Sequence, residues 1–190
     1  MARQVFRHDS PDRFVAGTVG EPGERVFYLQ ARSGAALTSV VCEKGQVHEL
    51  AERLDELLDR VRAEVPDANV PDRGDVTAID LDPLEAPVVA DFRVITLALG
   101  WDQRSAQVVI EARGAEATLA DVDDDAGDED DDEGDAGTDT LHVRLTPPAA
   151  RAFAERSRRV VSAGRPPCPF CLQPRDPAGH VCPRANGYRR

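Results

Sequence analysis

Two runs of strand-like sequence are each followed by an amphipathic helix, and this order constrains the fold more than any other feature. In the first block, RFVAGTVG (13–20), RVFYLQARS (25–33) and ALTSVVCEK (36–44) are rich in β-branched and aromatic residues. Gly20, Pro22 and Gly23 supply one turn between them and Gly34 the next. QVFRH (4–8) is a candidate fourth strand. QVHELAERLDELLDRVRAEV (46–65) then places Val47, Leu50, Leu54, Leu57, Leu58, Val61 and Val65 at three- and four-residue steps, one apolar stripe on a helix that Pro66 ends. A connector with prolines at 66, 71, 83 and 87 fills 66–90 and reads as extended. The second block repeats the order. FRVITLALGWDQ (92–103) and SAQVVIEARG (105–114) form a hairpin, LHVRL (141–145) a short strand, and Thr146 and Pro147 the N-cap and first residue of a helix over 147–161. Ala149, Ala150, Phe153, Ala154 and Ser157 give that helix a small-residue stripe, with Arg151, Arg156, Arg158 and Arg159 assigned to its outer side. The repeat is consistent with an internal duplication, although hairpin-then-helix units also recur without one. The expected fold class is α+β over 1–161: an antiparallel sheet built from hairpins with two helices on one face.

Charge is distributed in blocks. The total of −12 combines −7 over residues 1–115, −13 over 116–140 and +8 over 141–190. The acidic insertion at 116–140 contains DVDDDAGDEDDDEGDAGTD, with almost no apolar side chains to offset its ordering entropy, so it is expected to be disordered. It lacks the ligand spacing and central glycine of an EF-hand loop, which argues against a calcium site. Pairing with the basic C-terminal third, in competition with a polyanion, is the other reading. No apolar run reaches signal-peptide length at the N-terminus and none approaches a membrane span, so no membrane partner and a cytoplasmic, reducing location are the expectations.

Three of the four cysteines lie in CPFCLQPRDPAGHVC, 168–182. Cys168 and Cys171 have the spacing at which a tight turn presents two sulfurs to one ion. His180 and Cys182, two apart, project to one side of an extended segment. Together they make a Cys₃His set for Zn²⁺. The segment 164–190 has few apolar residues, and a unit this short usually needs a metal or disulfides to fold. A small, zinc-ribbon-like C-terminal module at 164–190 with a structural Zn²⁺ is therefore expected. A thioredoxin-like CxxC would open a helix, which the surrounding prolines forbid. A catalytic zinc would keep a water in its fourth position, which four protein ligands leave no room for.

No other constellation carries chemistry. His8, Asp9 and Ser10 are adjacent, whereas a triad assembles from distant segments. Gly17, Gly20 and Gly23 read as turn glycines, since no helix or phosphate-binding lysine follows. Cys42 reads as a small core residue, and His48 and His142 as surface or packing residues. No catalytic and no cofactor-binding residues are assigned.

FVAGTVGEPGERVFYLQA (14–31), LTPPAARAFAERSRRVV (145–161) and AGRPPCPFCLQPRDPAGHVCPRANGYRR (163–190) resemble the actinobacterial DUF3090 family of uncharacterised proteins. The resemblance implies no activity. Its occurrence beside a phosphomutase-like and a lipid-kinase-like family implies at most a shared pathway. The reading that follows is a non-catalytic interaction or regulatory protein with an unidentified protein partner. The alternatives are binding of nucleic acid or a transcription complex through the basic end, and a phosphate-ester hydrolase or related enzyme.

Overall fold

The computed structural model describes residues 4–76, 79–115, 138–164, 168–172, 175 and 179–184. Its elements run β1 (Val5–His8), β2 (Arg13–Val19), β3 (Val26–Ser33), β4 (Ala36–Cys42), α1 (Lys44–Glu64), β5 (Phe92–Arg93), β6 (Thr96–Asp102), β7 (Gln107–Arg113), β8 (Thr140–Leu145) and α2 (Pro147–Ser162). The fold is α+β, as expected, but the strands form two four-stranded sheets, ordered β1-β8-β7-β6 and β2-β3-β4-β5. Most of the acidic insertion lies outside the described residues.

Each block builds an antiparallel meander, β2-β3-β4 and β6-β7-β8. The remaining strand of each sheet comes from the other block and runs parallel: β1 beside β8, and β5 beside β4. The stretch 92–103, expected as one strand, is divided by this exchange. The Val94 amide donates to Val41 O in one sheet, and the next amide, of Ile95, donates to Arg113 O in the other. After each meander one residue leads into a helix. Glu43 does so before α1, its amide donating to Gln46 Oε1 at 2.9 Å. Thr146 does so before α2, its hydroxyl accepting from the Ala149 amide at 3.4 Å. The repeat seen in the sequence is thus a repeat of architecture.

Both helices and the inner faces of both sheets share one apolar core, with Leu29 and Val40 from one sheet, Ile110 and Val143 from the other, and Leu50, Leu54 and Ala154 from the helices. Phe14 of β2 stacks on Phe153 of α2 with ring centroids 4.5 Å apart.

Of the four α2 arginines expected on an outer side, Arg159 is exposed there, while Arg151 and Arg156 are not and Arg158 is only partly exposed. Arg151 is fully buried and Arg156 is 5% exposed. Arg151 donates to Asp55 Oδ1 at 2.6 Å and to Asp59 Oδ1 at 2.7 Å on α1. Arg158 pairs with the other oxygen of Asp55. The small residues of the stripe leave room for long side chains to run between the helices and carry their charge to a partner.

The connector after α1 crosses the outer face of the β2–β4 sheet as a strap. Arg13 holds Asp80 at 2.5 Å and the carbonyls of Asp82 and Pro83 at 2.9 Å. Arg156 Nε donates to Ala16 O at 2.8 Å and its Nη2 to Asp82 O at 2.6 Å. Gln30 Nε2 donates to Glu85 O at 3.1 Å and its Oε1 accepts from the Glu85 amide at 2.8 Å. Gly17 is therefore not a turn glycine. A Cβ there would come within 2.6 Å of Leu84, so the missing side chain makes the notch that Leu84 fills.

Candidate metal centre

The residues around Cys168 form a tight knuckle. The Leu172 amide donates to Cys168 O at 2.8 Å, and Leu172 takes the left-handed conformation (φ 63°) that turns the chain back. Backbone N–H groups of Cys171 and Phe170 point at the Cys168 sulfur. They favour the thiolate against the cost of desolvation and pull its pKa down to about 6. Gly179, just before His180, has φ 128°, a backbone conformation that glycine adopts without steric cost.

The four expected ligands come together. Their donor atoms all lie within 4.8 Å of one another. Cys168 Sγ is 3.7 Å from Cys182 Sγ, and Cys171 Sγ is 3.1 Å from His180 Nε2. The Cys168 and Cys182 sulfurs are too far apart for a disulfide, which needs about 2.05 Å, and no disulfide joins any of the four cysteines. With Zn–S near 2.3 Å and Zn–N near 2.0–2.1 Å, a tetrahedral site has S···S edges of about 3.8 Å and S···N edges of about 3.6 Å. The observed spacings bracket those edges, so the group could hold a metal ion. Cys168 and Cys182 are buried, while Cys171 and His180 are partly exposed.

The remaining sequence candidates fall elsewhere. Cys42 is 4% exposed in β4, and burial pushes its thiol up to about 12, so it stays a protonated core residue. His48 is exposed on α1. His142 faces outward on β8, 3.8 Å from Asp9. His8 is buried, with Ser33 Oγ 2.8 Å from Nδ1 and Thr38 Oγ1 3.0 Å from Nε2. Both ring nitrogens are taken by hydroxyls, and Ser10 instead donates to Asp9 O.

Sequence reading missed the Asp55–Arg151 pair. The signal was present, because Asp55 lies four residues after Ala51 and three before Leu58, within the buried stripe of α1. It missed the strap receptors Gln30 and Arg13 as well, since their partners are distant in the chain.

The match to known proteins comes at the level of the family. A family of proteins of unknown function, DUF3090, matches residues 6–182. The chain belongs to the DUF3090 family. No curated protein and no solved structure matches it. The matched range begins in β1 and ends at Cys182, so the DUF3090 unit contains the two-sheet body and the complete Cys₃His group. Among the described residues, no helix is long and apolar enough to cross a membrane.

Proposed function

We propose that this DUF3090 chain is a non-catalytic interaction protein of the cytoplasm. In this reading an α+β body (1–161) carries a C-terminal module (164–190) held together by one structural Zn²⁺. The observation that carries the metal reading is the convergence of Cys168, Cys171, His180 and Cys182 donor atoms within 4.8 Å. Three thiolates and an imidazole suit Zn²⁺ among the available divalent ions, and four protein ligands close the site to substrate. The module's described apolar residues support the same conclusion, because Phe170, Leu172 and Val181 do not build a core. Phe170 is 62%, Leu172 75% and Val181 79% exposed. Metal binding contributes on the order of 10–16 kcal/mol in comparable short units, which offsets the ordering cost of such a segment. The exposed trio then remains available for a partner.

Within α2, the basic-end reading draws on fewer charges, because Arg151 and Arg158 pair with Asp55 and Arg156 with Asp80, while Arg159 is exposed beside Glu155. The test is native mass spectrometry of the protein purified under reducing conditions. One Zn²⁺ per chain is expected, with its removal by chelator raising amide exchange across 168–184. Metal-free protein, or exchange unchanged by chelation, overturns the metal reading. Turnover of a phosphate ester by the zinc-loaded chain overturns the non-catalytic one.

A further inference from the structure

The strap on one sheet is a template for a site on the other. Strand register aligns the two meanders. Gly17 opposite Tyr28 corresponds to Gly100 opposite Val109, and Val15 opposite Gln30 corresponds to Ala98 opposite Glu111. The helices align by their N-caps, Glu43 and Thr146, which makes Arg53 of α1 the counterpart of Arg156 of α2.

On the first sheet, the strap occupies these positions. Leu84 fills the notch at Gly17. Gln30 satisfies both backbone polar groups of Glu85. Arg156 bridges the edge strand to the strap, reaching Ala16 O at 2.8 Å, Asp82 O at 2.6 Å and Asp80 Oδ1 at 3.0 Å.

On the second sheet, the same positions stand open among the described residues. A Cβ built on Gly100 meets no described atom within 4 Å. Arg53 is 63% exposed and pairs only with Glu49 and Glu56 of its own helix among the described residues. A cleft of 330 Å³ separates α1 from the edge strand β6, with Gln46, Leu50 and Arg53 on one wall and 95–99 on the other. Glu111, which accepts from Arg113 at 2.8 Å, stands at the position of Gln30. β6 has no proline and no charge before Asp102, so it lacks the usual devices that block an edge from pairing. The chain that follows α1 becomes the strap, whereas the chain that follows α2 leads to the Cys/His group.

We propose that the β6 edge and the outer face of its sheet bind an extended segment of a partner protein with the strap's own chemistry. That segment carries a carboxylate for Arg53 and, four residues later as in Asp80 to Leu84, a leucine-sized side chain for the Gly100 notch. Its main-chain carbonyls complete the guanidinium contacts, and β6 supplies a strand edge with no neighbour among the described residues. Thr96 stands where Arg13 grips Asp80, so the second site has one arginine fewer and binds reversibly. This deepens the interaction reading above, since it names what the body recognises.

The probe is a synthetic peptide of residues 79–87 (IDLDPLEAP) titrated into the full zinc-loaded chain. Trp101, the chain's single tryptophan, lies in β6 and reports by fluorescence, with backbone amide shifts mapping the contact. The expected result is a saturable change, absent for the peptide bearing Asp80→Lys and Leu84→Ala. Arg53→Glu or Gly100→Leu in the protein should weaken binding at least about tenfold without lowering Tm. The proposal is overturned by no saturable change, or by binding indifferent to both protein variants. It is also overturned by binding that appears only after 116–137 is replaced by a short turn, which would assign the site to the chain's own acidic stretch. Zinc content is read separately by mass: a zinc-loaded chain that ignores the peptide removes this site and leaves the metal centre standing.

Discussion

Removing one partner of the Asp55–Arg151 pair should destabilise the protein more than any exposed charge change. Both side chains are 0% exposed and their ionic contact is 2.6 Å. Arg151→Met keeps most of the side-chain volume and deletes the charge. Asp55 is then left in the helix interface with Arg158, whose side chain is 28% exposed, and with Arg73, which is 52% exposed. Losing one member of a buried pair costs about 3–5 kcal/mol, and the two remaining arginines place this case near 3 kcal/mol. For a chain of this size that corresponds to a fall in Tm of about 6–12 °C. Asp55→Leu should cost a similar amount, because the one carboxylate left to Arg151 among the described residues is Asp59, which is 44% exposed. The double variant removes both charges from the interface. It should lose about 2 kcal/mol less than the two single losses combined. Urea unfolding of the zinc-loaded protein, followed by Trp101 fluorescence, measures all three. Single variants within about 0.5 kcal/mol of wild type, or strict additivity in the double variant, would refute the reasoning.

Other outcomes follow from the same geometry. Cys182→Ser should abolish stoichiometric zinc by mass spectrometry while Cys42→Ser leaves it intact; loss of metal in both would show that the ligand set is wrong. His8 is held below its ordinary value near 6.5 by burial, with Asp9 opposing the shift. The unfolded ring takes a proton near pH 6.5 and the folded ring only at lower pH. The stability it contributes is therefore complete above about 6.5 and declines as the pH falls below that value. Wild-type stability should drop from pH 7 to 5.5 more steeply than that of His8→Gln, and parallel profiles would contradict this. Gly17→Ala, forced against Leu84, should destabilise by about 1 kcal/mol or more, whereas Gly100→Ala should be near neutral; calorimetry of both decides.

The readable parts of this fold were those with local causes. Both helices followed from an apolar stripe, ended by Pro66 in the first and capped by Thr146 in the second, and the metal group from ligand types at fixed short spacings. The exchange of β1 and β5 between sheets was not readable. A two-residue strand such as Phe92–Arg93 has no periodicity of its own, and its parallel neighbour lies more than 50 positions away. Arg151 and Arg156 were misplaced because periodicity reports where a Cβ points, and an arginine can carry its charge several ångströms from there. Gly17 was read as punctuation because the leucine that needs its absent side chain sits in a distant connector.

The crossed strands also impose a timetable on biosynthesis. Val5 pairs with Thr140 and His8 with Val143, so β1 leaves the ribosome long before β8, and its sheet cannot close until β8 is made. Until then the meander β2-β3-β4 can zip locally, but its neighbour β5 and the cover provided by α2 have yet to be synthesised. Loop closure over such a span is slow relative to hairpin formation. A nascent chain stalled before β8 therefore displays an orphaned N-terminal ribbon and a bare apolar sheet, the features that holdase chaperones capture.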